Sequence, residues 1–197
     1  VEVDLGKPID ISLVSKTKKS FKAWYSKEII FKTIKKDGFI GSVEQGGSVN
    51  FKEIVINPHA NMTHTESVGH ISKEKVCINN LIKQNHIVAQ LMTVNPKVVR
   101  KDVGIQKKGD KCILLSQLEN QIKPNVTALI LRTQKNYFDL GEKEFSNTNW
   151  PYLAEDTALY IRKMGIKHLL IDQPSVDREF VEGKLLAHKA FWNYPLT

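Results

Sequence analysis

The sequence predicts an α/β fold, a mixed sheet with flanking helices, built as one domain over residues 1–197. Three observations carry that expectation. Strand-like alternation and glycine turns fill the first half, a strand–helix–strand unit stands in the second, and no linker-like stretch separates them. The length of 197 residues, with 41% apolar and 25% charged side chains, is that of an ordinary folded domain and excludes disordered and low-complexity classes.

The elements follow in chain order. After Pro8, Ile9, Ile11 and Leu13 alternate with polar residues, so Asp4 to Val14 reads as a first strand. A lysine-rich connector comes next. Gly38, Gly41, Gly46 and Gly47 then punctuate β-forming residues between Phe39 and Ile56, which predicts short strands joined by tight turns and ending at Asn57-Pro58. Asn85 to Met92 reads as a strand. Lys111 to Leu115 reads as another, running into a short helix for which Ser116 and Glu119 have the spacing of a capping box. Val126 to Arg132 is a continuous apolar run suited to a buried strand. Pro151 opens a helix in which Leu153, Ala154, Thr157, Ala158 and Ile161 recur at helical spacing; Gly165 stops it, and Ile166 to Ile171 supplies a strand. A strand, a helix and a second strand in that order predict a parallel crossover.

Composition narrows the function classes. No stretch approaches the ~20 apolar residues of a membrane-spanning helix, and the acidic, mixed N-terminus is unlike a signal peptide, so a cytoplasmic protein without membrane contact is expected. Cys77 and Cys112 are too few for a disulfide framework and lack the spacing of a zinc or redox site; both are expected as reduced core residues. The net charge of +8 invites a nucleic-acid reading, but 25 of the 29 basic side chains are Lys, whereas base readout and bidentate phosphate contact favour Arg. The densest stretch, Lys16 to Lys36, holds eight Lys and one acid, Glu28, and is expected to be a solvated surface. No nucleic-acid partner is expected. A basic nucleic-acid-binding module stays as the reading from another class, one that salt-dependent binding would support.

Chemistry concentrates in one segment. Three of the six histidines, His59, His64 and His70, fall within twelve residues, together with Glu66. In an extended loop residues i and i+2 point the same way, so His64 and Glu66 can converge on one point. Imidazole with carboxylate suits zinc or manganese, and a spare histidine nearby can carry protons at neutral pH. Spacing alone also allows surface or structural histidines.

The run Thr63-His64-x-Glu66-x-x-x-His70 resembles the HxGTHxDxPxH signature of the cyclase family of metal-dependent hydrolases, which includes kynurenine formamidase-like and isatin hydrolase-like members. The opening Asp4 to Ser12 resembles the family's first strand. Gly165 to Asp177 resembles its late strand and Ser-x-Asp turn, and Leu185-Leu-Ala-His188 resembles the short helix that delivers a further histidine. The resemblance implies a swivelling β/β/α domain. It places metal ligands at His64 and Glu66, a second-metal ligand at His188, and the general acid/base at His70. The family's first histidine falls on Ala60, which offers no ligand atom; in a branch of the family that histidine stands one residue earlier, where this chain has His59. Met62 replaces the motif glycine and Val68 the motif proline. A further family glutamate lies beyond His188, so either the extreme C-terminus of the domain is expected to be missing after Thr197 or the second metal site is incomplete.

The implied function is metal-dependent, arylformamidase-like hydrolysis of a carbon–nitrogen bond in a small amide or cyclic amide, with zinc or manganese as cofactor. A family member that binds a small ligand with weakened catalysis is the alternative. A homodimer or higher homo-oligomer is expected as well, with Trp24, Tyr25, Trp150 and Trp192 as interface anchors. Asp172 and Asp177 are read as turn residues that could instead brace the site.

Overall fold

The computed structural model describes residues 3–133 and 140–195. The chain divides into two compact units, Val1–His64 with Phe138–Glu144, and Thr65–Tyr137 with Phe145–Thr197.

The first unit is built from short antiparallel ladders. Strand β1 (Ile30–Thr33) pairs with β4 (Lys52–Val55), and β2 (Lys35–Lys36) pairs with β3 (Phe39–Ile40). Gly38 has φ +81°, which the two-residue turn between β2 and β3 requires and a side chain would resist. A single helical turn, α1 (Pro58–Asn61), follows β4 at once, with Pro58 in the first turn, where its missing N–H costs nothing. Among the described residues, Phe21, Ala23, Ile29, Ala60 and Leu140 are the buried apolar residues of this unit. The lysine-rich connector is a charged surface, as expected: Lys16 pairs with Glu142 and Lys22 with Glu144, each at 3.5 Å.

The predicted first strand is not there. Residues 4–14 form no strand, and Ile9 is 89% exposed. The reason is local. Asp4 accepts from the backbone N–H of Gly6 at 2.9 Å and Asp10 from that of Ser12 at 2.8 Å, so side chains turn the backbone where a ladder would need it straight.

The second unit carries the parallel crossover. Strands β5 (Ala89–Thr93) and β10 (His168–Ile171) both lie parallel to the central β8 (Ala128–Arg132). A second sheet joins β6 (Lys97–Val98), β7 (Lys111–Ile113) and β9 (Tyr152–Leu153), with β7 parallel to β9. Helix α3 (Glu155–Lys163) connects β9 to β10 and packs on α4 (Leu186–Trp192); the one-turn α2 (Ile78–Leu81) precedes β5. Thr157, Ala158 and Ile161 on α3 are fully buried, with Leu129 and Leu131 of β8, Ile113 of β7 and Ala187 of α4 in the same core. Gly165 ends α3 with φ +82°.

The mixed α/β content is therefore as read, but the strands form four small sheets among the described residues rather than one mixed sheet, and none closes into a barrel. Two local expectations shift. Leu153 lies in β9 and α3 starts two residues later, because β9 takes Tyr152 and Leu153 into its ladder with Cys112 and Ile113. The capping contact before the 3-10 turn Leu115–Gln117 comes from Gln117, whose Oε1 accepts from the Leu114 N–H at 3.1 Å, and not from the Ser116–Glu119 pair. Cys112 is buried as expected, while Cys77 is exposed.

Asp110, 1% exposed, is one of the charged residues buried in this unit, with Asp177 and Glu179. It accepts from Arg178 Nε, Asn149 Nδ2 and Tyr152 Oη, each at 2.8 Å, and from the Lys107 N–H at 2.9 Å. Burial pushes its carboxyl up, but Arg178 and the other donors outweigh burial and hold it at about 2. A lowered carboxyl stabilises the fold above the unfolded value of about 4 and loses that contribution as pH falls toward 2. Asp110→Asn should therefore cost about 2 kcal/mol at pH 7, with the difference from the unsubstituted chain shrinking as pH falls from 4 to 2. Urea unfolding at a series of pH values checks this; equal midpoints at pH 7 would contradict it.

Candidate metal centre

In the first unit, the segment after β4 arranges two histidines. The Asn61 side chain accepts from the Asn57 N–H at 3.1 Å and donates to the Lys27 carbonyl at 3.2 Å, which pins the turn of α1. Ala60 is 2% exposed and its carbonyl accepts from the Ala23 N–H at 3.1 Å, so the position of the family's first histidine is spent on packing. His59 stands on the exposed side of that turn, and its ring meets the His64 ring edge-on at 4.8 Å. The helical turn supplies the change of direction that an extended chain could not, since neighbouring side chains of a strand point apart. Met62 has φ −150° and ψ 155°, ordinary extended backbone, so replacing the motif glycine stores no strain here. His64 Nδ1 lies 3.0 Å from the Met62 carbonyl, which makes Nδ1 the donor of that bond.

In the second unit, Glu66, His70 and His188 converge. Ser67 Oγ accepts from the Gly69 N–H at 3.2 Å and caps the 3-10 turn Val68–His70, which brings His70 back toward Glu66. Glu66 Oε1 lies 4.0 Å from His70 Nε2, and Glu66 Oε2 lies 3.6 Å from His188 Nε2. The two imidazoles are 5.7 Å apart between centroids. One ligand atom from each of the three residues lies within 4.8 Å of the others.

His188 is held from behind. Asp177, 2% exposed, accepts from the backbone N–H groups of Ala187 at 2.8 Å and His188 at 3.2 Å, capping the first turn of α4. The same carboxylate takes the His188 Nδ1 hydrogen at 2.5 Å, which turns Nε2 toward Glu66. Trp150 donates its Nε1 hydrogen to the Asp177 carbonyl at 3.1 Å, and the Trp192 ring lies 5.1 Å from the imidazole. Burial works against a charged His188, but the bonds to Asp177 and Glu66 outweigh it and raise its pKa to about 9.

These residues fit a divalent cation. A histidine ligand that gives its other ring hydrogen to a buried carboxylate is the common arrangement at metal sites, and His188 makes that contact with Asp177. The sequence reading named His188 and left Asp177 mainly to a turn. The Ser-x-Asp spacing was the available signal, and Ser175 Oγ does accept from the Asp177 N–H at 3.1 Å. Of the expected aromatic anchors, Trp150 is 1% exposed and so is a core residue, while Trp192, half-buried, lies against His188. Asp172 binds Thr133 through its N–H and Oγ1, both at 2.8 Å.

An α/β chain that gathers His and Glu donors, one of them backed by a buried carboxylate, has the makings of a metal-binding enzyme. The chain belongs to the cyclase family, since the family model described as "Putative cyclase" matches residues 3–178. A comparison with curated proteins finds no match. His188 lies beyond the matched residues, so its place in the site rests on the geometry around Glu66 and Asp177. No helix among the described residues is long and apolar enough to cross a membrane.

The raised pKa of His188 has a consequence for stability. A histidine whose folded pKa exceeds its unfolded value of about 6.5 stabilises the fold fully below that value, and the contribution disappears as pH rises through 9. The metal-free chain should lose about 3 kcal/mol from this group between pH 6 and pH 10. Asp177→Asn should remove most of that pH dependence. Denaturant unfolding with chelator present checks both, and a His188 titration midpoint near 6.5 by NMR would contradict the assignment.

Proposed function

We propose that the protein is a metal-dependent hydrolase that cleaves a carbon–nitrogen bond in a small amide or cyclic amide, like arylformamidase-type members of its family. The observation that supports this most is the convergence of Glu66, His70 and His188 within 4.8 Å. In this reading His59, His64 and Glu66 hold zinc or manganese, with His188 as a further ligand; His64 and Glu66 are separated by a single residue of the same loop. A cation bound there supplies Lewis acidity and lowers the pKa of its water toward about 7.

The chain's own residues do the rest. Asp177 fixes the tautomer and direction of His188. His70, whose side chain is 34% exposed and 4.0 Å from Glu66, reaches both the site and solvent, as a proton carrier must. It takes a proton from the attacking water and returns it to the leaving nitrogen. Trp24 and Tyr25, 39% and 64% exposed, are surface aromatics suited to assembly into a dimer or larger oligomer.

Two variants test the assignment. Elemental analysis should find a divalent metal in the purified protein and none in His64→Ala, and full occupancy of that variant would overturn the ligand set. His70→Ala should keep its metal and hydrolyse model amides about 10²–10⁴-fold more slowly. Equal loss of metal and activity would make His70 a ligand. Metal without amide hydrolysis would favour the ligand-binding reading, which Ala60 at the first-ligand position supports.

A further inference from the structure

The β1–β4 ladder of the first unit pairs Ile30 with Val55 and Phe31 with Ile54. Successive side chains of a strand point to opposite faces, so one apolar pair lies on each face of the ribbon. At that end neither face is polar, whereas an ordinary surface pair of antiparallel strands turns a polar face to water. The ribbon continues into the β2–β3 hairpin: the Ile34 N–H donates to the Phe51 carbonyl at 3.4 Å and the Phe51 N–H to the Gly41 carbonyl at 3.0 Å. Phe51 meets Phe39 edge-on there, with ring centroids 6.0 Å apart. Ile30, Phe31, Phe39, Phe51, Ile54 and Val55 are each between 41% and 58% exposed.

With about half of a large side chain's roughly 150–250 Å² left in water at each position, the six expose on the order of 600 Å² of apolar surface. A standard interface takes about 800 Å² from each partner, roughly 65% of it apolar between identical chains, so the ribbon supplies the apolar share of one side. A two-stranded ribbon is also marginal unless something packs on it. Charge selects the occupant. Lys32 and Glu53 stand opposite each other beside the apolar pairs, 3.8 Å apart, so both signs lie side by side and the strip complements a copy of itself. A lipid surface would instead need one apolar face rimmed by cations. We propose that this ribbon is the contact between two copies of the chain, packed about a twofold axis; the inference rests on the homo-oligomer reading above and names its surface.

Light scattering on the full chain at micromolar concentration should give twice the 22.4 kDa of one copy. Phe31→Thr/Ile54→Thr keeps the ribbon's β propensity and should weaken the dimer at least about tenfold. Val103→Thr, at an equally exposed apolar position of the second unit, should leave it unchanged. The charges give a second readout. Lys32→Glu and Glu53→Lys should each weaken self-association, and an equimolar mixture of the two variants should restore a dimer, since each offers the sign the other lacks. A dimer that the ribbon variants leave intact would overturn the inference and keep the assembly, while a monomeric parent chain would overturn both. A mixture that stays monomeric would overturn the inference too, as would a monomer that binds phosphatidylcholine vesicles through Phe31 and Ile54.

Discussion

The buried hydrogen bond between Asp177 and His188 is the contact on which the arrangement of the second unit's donors depends. Asp177 ends the segment that leaves the parallel crossover at β10, and His188 lies in the first turn of α4, so one carboxylate joins the sheet's exit to a helix. It satisfies two otherwise orphaned backbone N–H groups at that helix start and fixes the imidazole at the same time. A buried charge of this kind is costly unless every lone pair finds a donor. Here the donors are the backbone and a histidine, with Trp150 binding the carbonyl of the same residue, and the consequence is a ring that can only face Glu66.

Glu66 then stands between two histidines that reach it by different routes. His70 comes from the same loop through a three-residue turn that Ser67 caps, while His188 comes from the far end of the chain. Two departures from the family signature, Ala60 and Met62, fall in the segment before it and are absorbed by backbone choice. Ala60 is packed in the first unit, His59 is displaced onto the exposed side of the α1 turn beside His64, and Met62 is simply extended. Neither substitution requires a strained conformation, which is why the loop tolerates both.

Much of the second unit was legible from local pattern. Val126–Arg132 and Ile166–Ile171 do become neighbouring parallel strands around a helix whose buried face is Thr157, Ala158 and Ile161, because hydrophobic period and a stop glycine are short-range properties. The Asp4–Val14 strand failed for an equally local reason, as Asp4 and Asp10 bind their own backbone and no partner strand competes for it. Trp150 and Trp192 were not legible as buried, since an aromatic in a polar stretch carries no mark of which surface will cover it. Trp150 and Trp192 found that surface at Asp177 and His188.

By itself the sequence determined the chemistry available and its family: three histidines and a glutamate in one short segment, a fourth histidine near the end, and a match over residues 3–178. Residue type and spacing suffice for that, because ligand chemistry belongs to the side chain. Only the tertiary structure decided which of those groups meet and which auxiliary residues hold them. Glu66 and His188 are 122 positions apart in sequence, and their 3.6 Å approach depends on how α4 packs on α3 and on one buried carboxylate contributed by a third segment. Such contacts are set by the packing of a whole core, and no local window of the chain contains that information.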